Sequence, residues 1–313
     1  GKLYVAKFNA DGTGQWLELS PATIPAGYTA YAFANAADVA VNTRLAADAV
    51  GATKMDRPEW CSTHPTTGEV YFALTNNSNR RTAPTGSSQV LVDAANPRAY
   101  TDVKGASTTQ QGNVNGHIVR VKEGTGNAAA TTFTWDVYLF GAEAGASPTF
   151  VNLSNLTSDQ DFSSPDGLWF SPNTGICWIQ TDDGAYTDTT NCMMLAAIPG
   201  QVGDGAAKTL AYSGTLSVTT PVGKAPTAAN LKRFLVGPVG SEITGICETP
   251  DGRAIFVNIQ HPGENTAMAD IGDPSKYTSH WPGNAGYGAG GATARPRSAT
   301  IVITRDDGGR IGA

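Results

Sequence analysis

Residues 54–65, KMDRPEWCSTHP, place an arginine and a glutamate two positions apart with a proline between them. Pro58 fixes its own backbone and disfavours helix for the residue before it, so we expect Arg57 and Glu59 to lie in extended backbone. A guanidinium can hold two oxygens of an anion through paired hydrogen bonds, and a carboxylate can bind a cation. The same two side chains could instead form a surface ion pair of little energetic value. The stretch is therefore either a ligand-binding pair or a simple surface turn.

The glutamate of this stretch begins the first of three similar segments. The segments are EWCSTHPTTGEVYFALTNN (59–77), DGLWFSPNTGICWIQTDDG (166–184) and EITGICETPDGRAIFVNIQ (242–260). Each begins with an acid, continues as a short strand, turns at a proline and a glycine, and returns as a second strand. Repeated strand–turn–strand units are typical of β-propeller blades. We therefore expect an all-β fold made of antiparallel propeller blades.

The acids that begin these segments suggest a metal site. In a propeller the innermost strand of each blade lines the central channel, so Glu59, Asp166 and Glu242 would meet at the channel mouth. Clustered carboxylates repel one another, and burial raises that cost. Hard divalent cations such as Ca²⁺ bind oxygen ligands in arrangements of this kind. Acids are also common in turns, and Asp166-Gly167 is an ordinary turn dipeptide, so the repeat alone leaves both interpretations open.

The overall composition agrees with strands joined by turns. The 313 residues include 36 Gly and 18 Pro, only 15% are charged, and 40% are apolar. A helical bundle would need more Glu and Lys on its surface, and a disordered chain would contain fewer apolar residues. Alternating and apolar runs predict strands at 3–8, 15–20, 68–75, 116–123, 132–140, 175–182, 192–198, 253–259 and 298–305.

The remaining segments predict one short helix and two long rim loops. Residues 37–50, ADVAVNTRLAADAV, are rich in alanine and leucine, and Gly51 follows as a stop signal. Residues 76–115 and 262–297 are polar and show little periodicity, so we expect loops on one rim, a common location of functional residues. We treat residues 1–313 as a single propeller region. Because its first residues already predict a strand and a turn rather than a signal peptide, we expect it to be part of a longer propeller.

Charge and residue spacing argue against several other classes of protein. The 21 basic and 27 acidic residues give a net charge of −6, which disfavours general nucleic-acid binding because phosphate backbones are held by Lys and Arg. No apolar run approaches the roughly 20 residues of a membrane span. The histidines lack HxH or HExxH spacing and the cysteines lack CxxC, so zinc sites of these kinds are not predicted. We expect most of the four cysteines to be small buried residues: Cys61, Cys177, Cys192 and Cys247.

Several longer strings resemble the PhoX-type alkaline phosphatases, in the same order along nearly the whole chain. The strings are LYVAKFNADGTGQW, NTRLAADAVGATKMDRPEW, NGHIVR, FTWD, SPDGLWF, GSEITG, VNIQHPGE and PRSATIVITRDDGG. The resemblance implies a β-propeller whose channel contains calcium and iron ions. It also implies hydrolysis of phosphate monoesters outside the cytoplasm, in the periplasm or after secretion. Members of the family are considerably longer at the N-terminus, so this chain resembles their C-terminal half, and the N-terminal half would be its partner.

The resemblance also implies roles for particular residues. Arg57 in MDRPEW resembles the arginine that holds the substrate phosphate. Glu59 in the same string resembles a calcium ligand. Asp166 in SPDGLWF and Glu242 in GSEITG resemble further metal ligands in the channel.

Two further acids and the iron site match the family less well. Asp182 in QTDDG and Glu264 in QHPGE are weaker candidates for metal ligands, because Asp182 could close a turn and Glu264 could be solvated. The family's iron-binding cysteine lies in an upstream Thr-Cys-Glu-Glu string that this sequence lacks. The iron ligands would therefore come partly from a segment outside these residues.

Two other functions remain open at the level of sequence. A calcium-dependent propeller lactonase or esterase also uses channel carboxylates, although it has less need for an arginine on its substrate. A propeller section could also act as a non-catalytic binding scaffold. The motifs favour phosphate monoester hydrolysis, because a guanidinium beside cation-binding carboxylates suits a phosphate dianion.

Overall fold

Antiparallel β-structure dominates the computed structural model, which describes residues 1–182 and 184–312. Over those residues the helical structure is limited to two short α-helices and five single 3₁₀ turns. The expectation of a mainly β, antiparallel fold is therefore confirmed. In the same part of the chain, no helix combines the length and apolar character that a bilayer crossing requires.

The strands are numbered in chain order. They are β1 (Leu3–Phe8), β2 (Thr13–Leu19), β3 (Pro58–Thr63), β4 (Val70–Leu74), β5 (Arg80–Arg81), β6 (Val90–Leu91), β7 (Tyr100–Lys104), β8 (Thr108–Gly112), β9 (His117–Glu123), β10 (Thr132–Phe140), β11 (Pro165–Phe170), β12 (Cys177–Thr181), β13 (Met193–Ala197), β14 (Lys208–Ala211), β15 (Ser217–Thr220), β16 (Leu231–Val236), β17 (Glu242–Glu248), β18 (Ala254–Gln260) and β19 (Ala299–Thr304). The 3₁₀ turns are Gly124–Gly126, Met268–Asp270, Pro274–Lys276, Gly283–Ala285 and Gly291–Thr293.

Three antiparallel sheets carry the candidate site. The first has the order β1-β2-β10-β9-β4-β3, the second β11-β12-β13-β16, and the third β17-β18-β19. The remaining pairs are small: β7 with β8 and β14 with β15 are antiparallel, whereas β5 with β6 is parallel. Each of the three repeated segments therefore forms one hairpin: β3–β4, β11–β12 and β17–β18.

The turns inside these hairpins follow the predicted glycines. Gly68, Gly175 and Gly252 have φ angles of 72°, 73° and 72°, a left-handed conformation that glycine adopts without a steric cost. The returning strands β4, β12 and β18 begin two residues later in each case. The three hairpins thus share one turn geometry, as their similar sequences indicate.

The predicted helix over 37–50 is two helices, α1 (Ala36–Val41) and α2 (Thr43–Val50). Asn42 separates them because its backbone is non-helical (φ −98°, ψ 42°) and its side-chain amide donates to the Asp38 carboxylate at 2.7 Å. Gly51 ends α2 in a left-handed conformation, as its position predicted. The helices bury Val39 and Ala46 against Leu19 of β2.

The two predicted rim loops contain more regular structure than their sequences indicated. Residues 76–115 include β5 to β8, and residues 262–297 include four of the 3₁₀ turns. The β7–β8 hairpin was missed because its Thr and Gln side chains are largely exposed, so no apolar residue marks a buried face. Strands β14, β15 and β16 were also not predicted.

The second sheet is buried on both faces. Along β12, Cys177 and Ile179 pack into the core shared with the first sheet, and Trp178 packs into the core shared with the third. Successive side chains of a strand point to opposite faces, so this alternation shows that β12 lies between two apolar layers. Packing across these two layers fixes the second sheet relative to the first and the third.

The cysteines divide into two groups rather than being mainly buried. Cys177 and Cys192 are buried, as expected, but Cys61 and Cys247 are exposed. The exposed pair lies on β3 and β17, each of which is the edge strand of its sheet and has a neighbour on one side only.

Candidate active site

The acids of the three repeated segments occupy equivalent places in their sheets. Glu59 and Asp166 are the second residues of β3 and β11, and Glu242 is the first residue of β17. Asp182 directly follows β12. One carboxylate oxygen from each of Asp166, Asp182 and Glu242 lies within 4.8 Å of the other two. Residues up to 76 positions apart in the sequence therefore form one carboxylate cluster.

Electrostatic repulsion within the cluster shows in the pKa values of its members. The pKa of Asp166 is raised to about 6, mainly by partial burial and also by the charges of Glu59 and Asp182, while the Arg57 guanidinium opposes the shift. Burial raises the pKa of Glu242 to about 7, with contributions from the charges of Asp182 and Asp166. The cluster therefore holds its negative charge at a cost, and a bound cation would remove that cost.

The spacing of the cluster fits a hard cation. Two oxygens on opposite sides of a Ca²⁺ ion lie about 4.6–5.2 Å apart, because each Ca–O distance is about 2.3–2.6 Å. Oxygens that bind one ion can be no farther apart than this, and one oxygen from each of Asp166, Asp182 and Glu242 lies within 4.8 Å of the other two, so the three could bind the same ion. The donors are all carboxylate oxygens, the type that Ca²⁺ prefers.

Arg57 and Glu59 lie beside the cluster. The Arg57 Nη2 atom is 3.9 Å from Glu59 Oε1, at the limit of an ion pair, and the arginine side chain is 59% exposed. Arg57 Nη1 donates a hydrogen bond to Asn76 Oδ1 at 2.8 Å. Because the charges of both Arg57 and Glu59 act on the pKa of Asp166, one guanidinium and four acids share this region.

The backbone at Arg57 is left-handed rather than extended, which corrects the expectation from Pro58. Its φ is 48°, and β3 begins only at Pro58. The Arg57 N–H donates to the carbonyl of Met55 at 3.1 Å, and its own carbonyl accepts from the N–H of Thr75 at 3.3 Å. The preceding residue, Asp56, is fully buried and ion-paired with Arg80 at 2.8 Å. This buried ion pair fixes the direction in which the chain enters Arg57.

Two more non-glycine residues near the cluster have positive φ. Ser164, two residues before Asp166, has a φ of 49°, and His261, which contacts Glu242, has a φ of 36°. Such conformations cost free energy and persist where the surroundings impose them, often at functional sites. One strained residue therefore lies next to a strand of each sheet: Arg57 before β3, Ser164 before β11 and His261 after β18.

Asn76 and Ser164 were not among the predicted site residues. Asn76 Nδ2 lies in hydrogen-bonding distance of Ser164 Oγ, at 3.3 Å, and the Ser164 carbonyl accepts from the N–H of Asp182 at 3.2 Å. These bonds join the first sheet to the loop that carries Asp182. The only sequence signal was the asparagine pair that ends the first repeated segment, which by itself indicates a turn.

Glu264 lies at the edge of the region, separated from the cluster by a histidine. His261 Nδ1 is 3.2 Å from Glu264 Oε2, and His261 Nε2 is 3.6 Å from Glu242 Oε2. Gln260 Nε2 also donates to Glu242 Oε2 at 2.6 Å. The structure therefore brings Asp166, Asp182 and Glu242 together and places Glu264, which is about half exposed, beyond them.

Comparison with known proteins identifies the family of the chain. Residues 1–263 match the family described as alkaline phosphatase PhoX, and the chain belongs to this family. Among solved structures it is similar to Pseudomonas fluorescens PhoX in complex with vanadate, a transition state analogue, with 33% sequence identity and a TM-score of 0.70. The similarity covers 100% of this chain and 46% of that chain, so the chain spans about half the length of the structure it matches. A comparison with curated proteins gave no match.

Proposed function

We propose that this chain provides the phosphate-binding and part of the metal-binding machinery of an enzyme that hydrolyses phosphate monoesters. The observation that carries the proposal is the position of the Arg57 guanidinium beside the carboxylate cluster of Asp166, Asp182 and Glu242. An anion-binding group next to a cation-binding group is the arrangement that a phosphate dianion needs.

Arg57 acts on the phosphate group itself. Its planar guanidinium donates two parallel hydrogen bonds to two non-bridging oxygens and fixes the direction in which the ester oxygen leaves. Hydrolysis forms a bond between phosphorus and a water oxygen, breaks the bond to the alcohol oxygen, and transfers a proton to that leaving oxygen. Arg57 stabilises the charge that spreads over the non-bridging oxygens during this exchange.

The carboxylates hold the cations that accompany the phosphate. Asp166, Asp182 and Glu242 would bind Ca²⁺, with Glu59 as a neighbouring ligand, and Glu264 would contribute at the edge of the site. Family resemblance adds Fe³⁺, with ligands supplied partly by a segment outside these residues. When bound, such cations would neutralise the phosphate charge and lower the pKa of a water molecule.

The finer features of the fold and location follow from the same resemblance. We propose that the three sheets are blades of a β-propeller, with β3, β11 and β17 lining its channel. The equivalent placement of one acid on each of these strands supports this arrangement. We also propose that the enzyme acts in the periplasm or after secretion, as the resemblance to the PhoX-type family implies.

The proposal is tested by measuring which of three substrates the enzyme hydrolyses. The complete enzyme, including the segment that supplies the remaining iron ligands, is purified, supplied with Ca²⁺ and Fe³⁺, and offered p-nitrophenyl phosphate, p-nitrophenyl acetate and δ-valerolactone. We expect hydrolysis of the phosphate ester alone, and loss of that activity when the metals are removed by a chelator. Arg44, an exposed arginine on α2, provides the matched control: Arg44→Lys should leave the activity unchanged, whereas Arg57→Lys should not.

Two results would contradict the proposal. Preferential hydrolysis of the acetate or the lactone would indicate the calcium-dependent esterase or lactonase instead. A folded, metal-loaded protein that neither hydrolyses p-nitrophenyl phosphate nor binds inorganic phosphate by calorimetry would indicate a non-catalytic scaffold.

A further inference from the structure

A polar pocket of about 510 Å³ opens beside the candidate phosphate site. Asn76, which accepts the hydrogen bond from Arg57, also lines this pocket, so the pocket and the guanidinium share a residue. Gly184 and Ala185, which follow Asp182 closely, line it as well. The pocket therefore adjoins both the anion-binding and the cation-binding parts of the site, and it is large enough for a small organic group.

Most of the residues that line the pocket are polar, and one of them is a cation. Of its described lining residues none is acidic, and the polar ones include Ser78, Thr109 and Gln111. Gln110 also lines it.

Arg81 is the cation of the pocket, and no described carboxylate pairs with it. The side chain is partly buried, and its Nη1 donates to the carbonyl oxygens of Ser78 and Arg80 at 2.6 and 2.8 Å. The neighbouring Arg80 differs, because it is fully buried and ion-paired with Asp56 and Asp93. Arg81 thus retains its capacity to bind an anion from outside the chain.

The wall of the pocket is fixed before any ligand binds. Lys104, on the β7–β8 hairpin, donates hydrogen bonds to the Gly184 carbonyl and the Thr187 hydroxyl. The N–H of Gly105 at the hairpin turn donates to Asp188 Oδ2 at 2.6 Å. These bonds tie the hairpin to the loop that follows β12, and a preformed pocket loses less entropy when it binds a ligand.

We infer that this pocket receives the alcohol portion of the substrate and selects phosphate monoesters that carry a second anionic group. The second group is a carboxylate or another phosphate, and it pairs with Arg81. The inference rests on the proposed function, because Arg57 must hold the reacting phosphate next to the pocket. An aromatic leaving group such as p-nitrophenol makes no use of Arg81.

The test uses two esters that differ in one group. In 3-phosphoglycerate a carboxylate replaces the terminal hydroxymethyl group of glycerol 3-phosphate. We expect a kcat/KM for 3-phosphoglycerate roughly tenfold higher, the size of one charge-assisted hydrogen bond. Arg81→Gln should abolish this preference and leave p-nitrophenyl phosphate hydrolysis unchanged, whereas Arg44→Gln should alter neither. Arg81→Lys keeps the charge and should retain part of the preference, and calorimetry should show the same order in Kd.

The outcomes separate this inference from the function on which it rests. Equal kcat/KM values for the two esters, or a preference that persists in Arg81→Gln, would overturn the inference while leaving phosphatase activity in place. If none of the three phosphate esters is hydrolysed or bound, both the proposed function and the inference are overturned.

Discussion

Asn76 Oδ1 accepts a hydrogen bond from Arg57 Nη1 at 2.8 Å, while the Nδ2 atom of the same amide lies 3.3 Å from Ser164 Oγ. One side chain therefore connects the candidate phosphate-binding arginine to the segment that leads into Asp166. Because Arg57 is largely exposed, its guanidinium would otherwise sample several rotamers, and ordering it at the moment of binding costs entropy. We consider Asn76 a positioning residue for Arg57.

Replacement of Asn76 by alanine should weaken substrate binding more than it weakens the fold. We expect the KM for p-nitrophenyl phosphate to rise by roughly five- to tenfold, as expected for loss of one hydrogen bond to a charged group. The melting temperature should change little, because Asn76 is only partly buried. Steady-state kinetics and thermal unfolding check both statements. Asn79→Ala, at an exposed asparagine nearby, is the control, and an equal effect of the two substitutions would argue against a positioning role.

Arg57→Lys should be damaging although it conserves charge. Lysine offers a compact charge without the planar pair of donors, so two-point contact with the phosphate is lost. We expect kcat/KM for p-nitrophenyl phosphate to fall by roughly 100-fold, with kcat and KM both affected, because the charge on the phosphate oxygens changes toward the transition state. Near-normal turnover in this variant would indicate that Arg57 and Glu59 form only a weak surface ion pair.

Three acids of this region should differ in their effect on calcium dependence. Glu242→Gln removes a charge from the three-carboxylate cluster, so we expect activity to require roughly tenfold more Ca²⁺. Glu59→Gln should show a smaller shift that excess Ca²⁺ overcomes, because Glu59 acts on the cluster from its side. Glu264→Gln should show the smallest shift, because Glu264 lies beyond His261 at the edge of the site, and calcium titrations of activity compare all three. If the calcium requirement of the Glu242→Gln enzyme is unchanged, Glu242 is not part of the metal site.

Without metal, the stability of the protein should fall as the pH rises through neutrality. A carboxyl group whose pKa is higher in the folded protein than in the unfolded chain favours folding when protonated, and that contribution is lost as the group ionises. The pKa values of about 6 for Asp166 and about 7 for Glu242 place the loss between about pH 4 and about pH 7.

Calcium should reverse this loss. Because Ca²⁺ binds the ionised carboxylates, the increase in melting temperature caused by Ca²⁺ should be small at about pH 5 and reach several degrees at about pH 8. Thermal unfolding with Ca²⁺ or with a chelator, repeated over this pH range, measures the difference. A calcium effect that is constant with pH would show that these carboxylates are not its source.

Local sequence patterns predicted the hairpins well because the signals are local. Alternation marked β1, β10 and β18, and a glycine at each turn determined where the returning strand begins. The break at Asn42 and the strands β7 and β8 were missed because they depend on side-chain hydrogen bonds and on pairing between polar strands, neither of which leaves an apolar period.

The site was predictable only in part, for a related reason. Equivalent positions in the repeated segments made Glu59, Asp166 and Glu242 candidates, and of these Asp166 and Glu242 lie with Asp182 in the carboxylate cluster. The contribution of Asn76 was not visible, since it depends on how the first and second sheets pack against each other. The left-handed backbone of Arg57 likewise depends on a distant bond to Thr75 and on the buried ion pair of Asp56, which outweigh the local preference of a residue before proline.

The double burial of β12 has a consequence for how the protein loses activity on heating. The strand is covered on both faces and hydrogen-bonded to β11 and β13 on its two edges, so its amides can exchange with solvent only when all three sheets separate. Asp182 continues directly from this strand, so we expect the backbone that carries it to stay in place until the sheets around β12 separate. Hydrogen–deuterium exchange should find β12 among the slowest segments, and thermal inactivation should follow the global unfolding rate rather than an earlier local opening near the site.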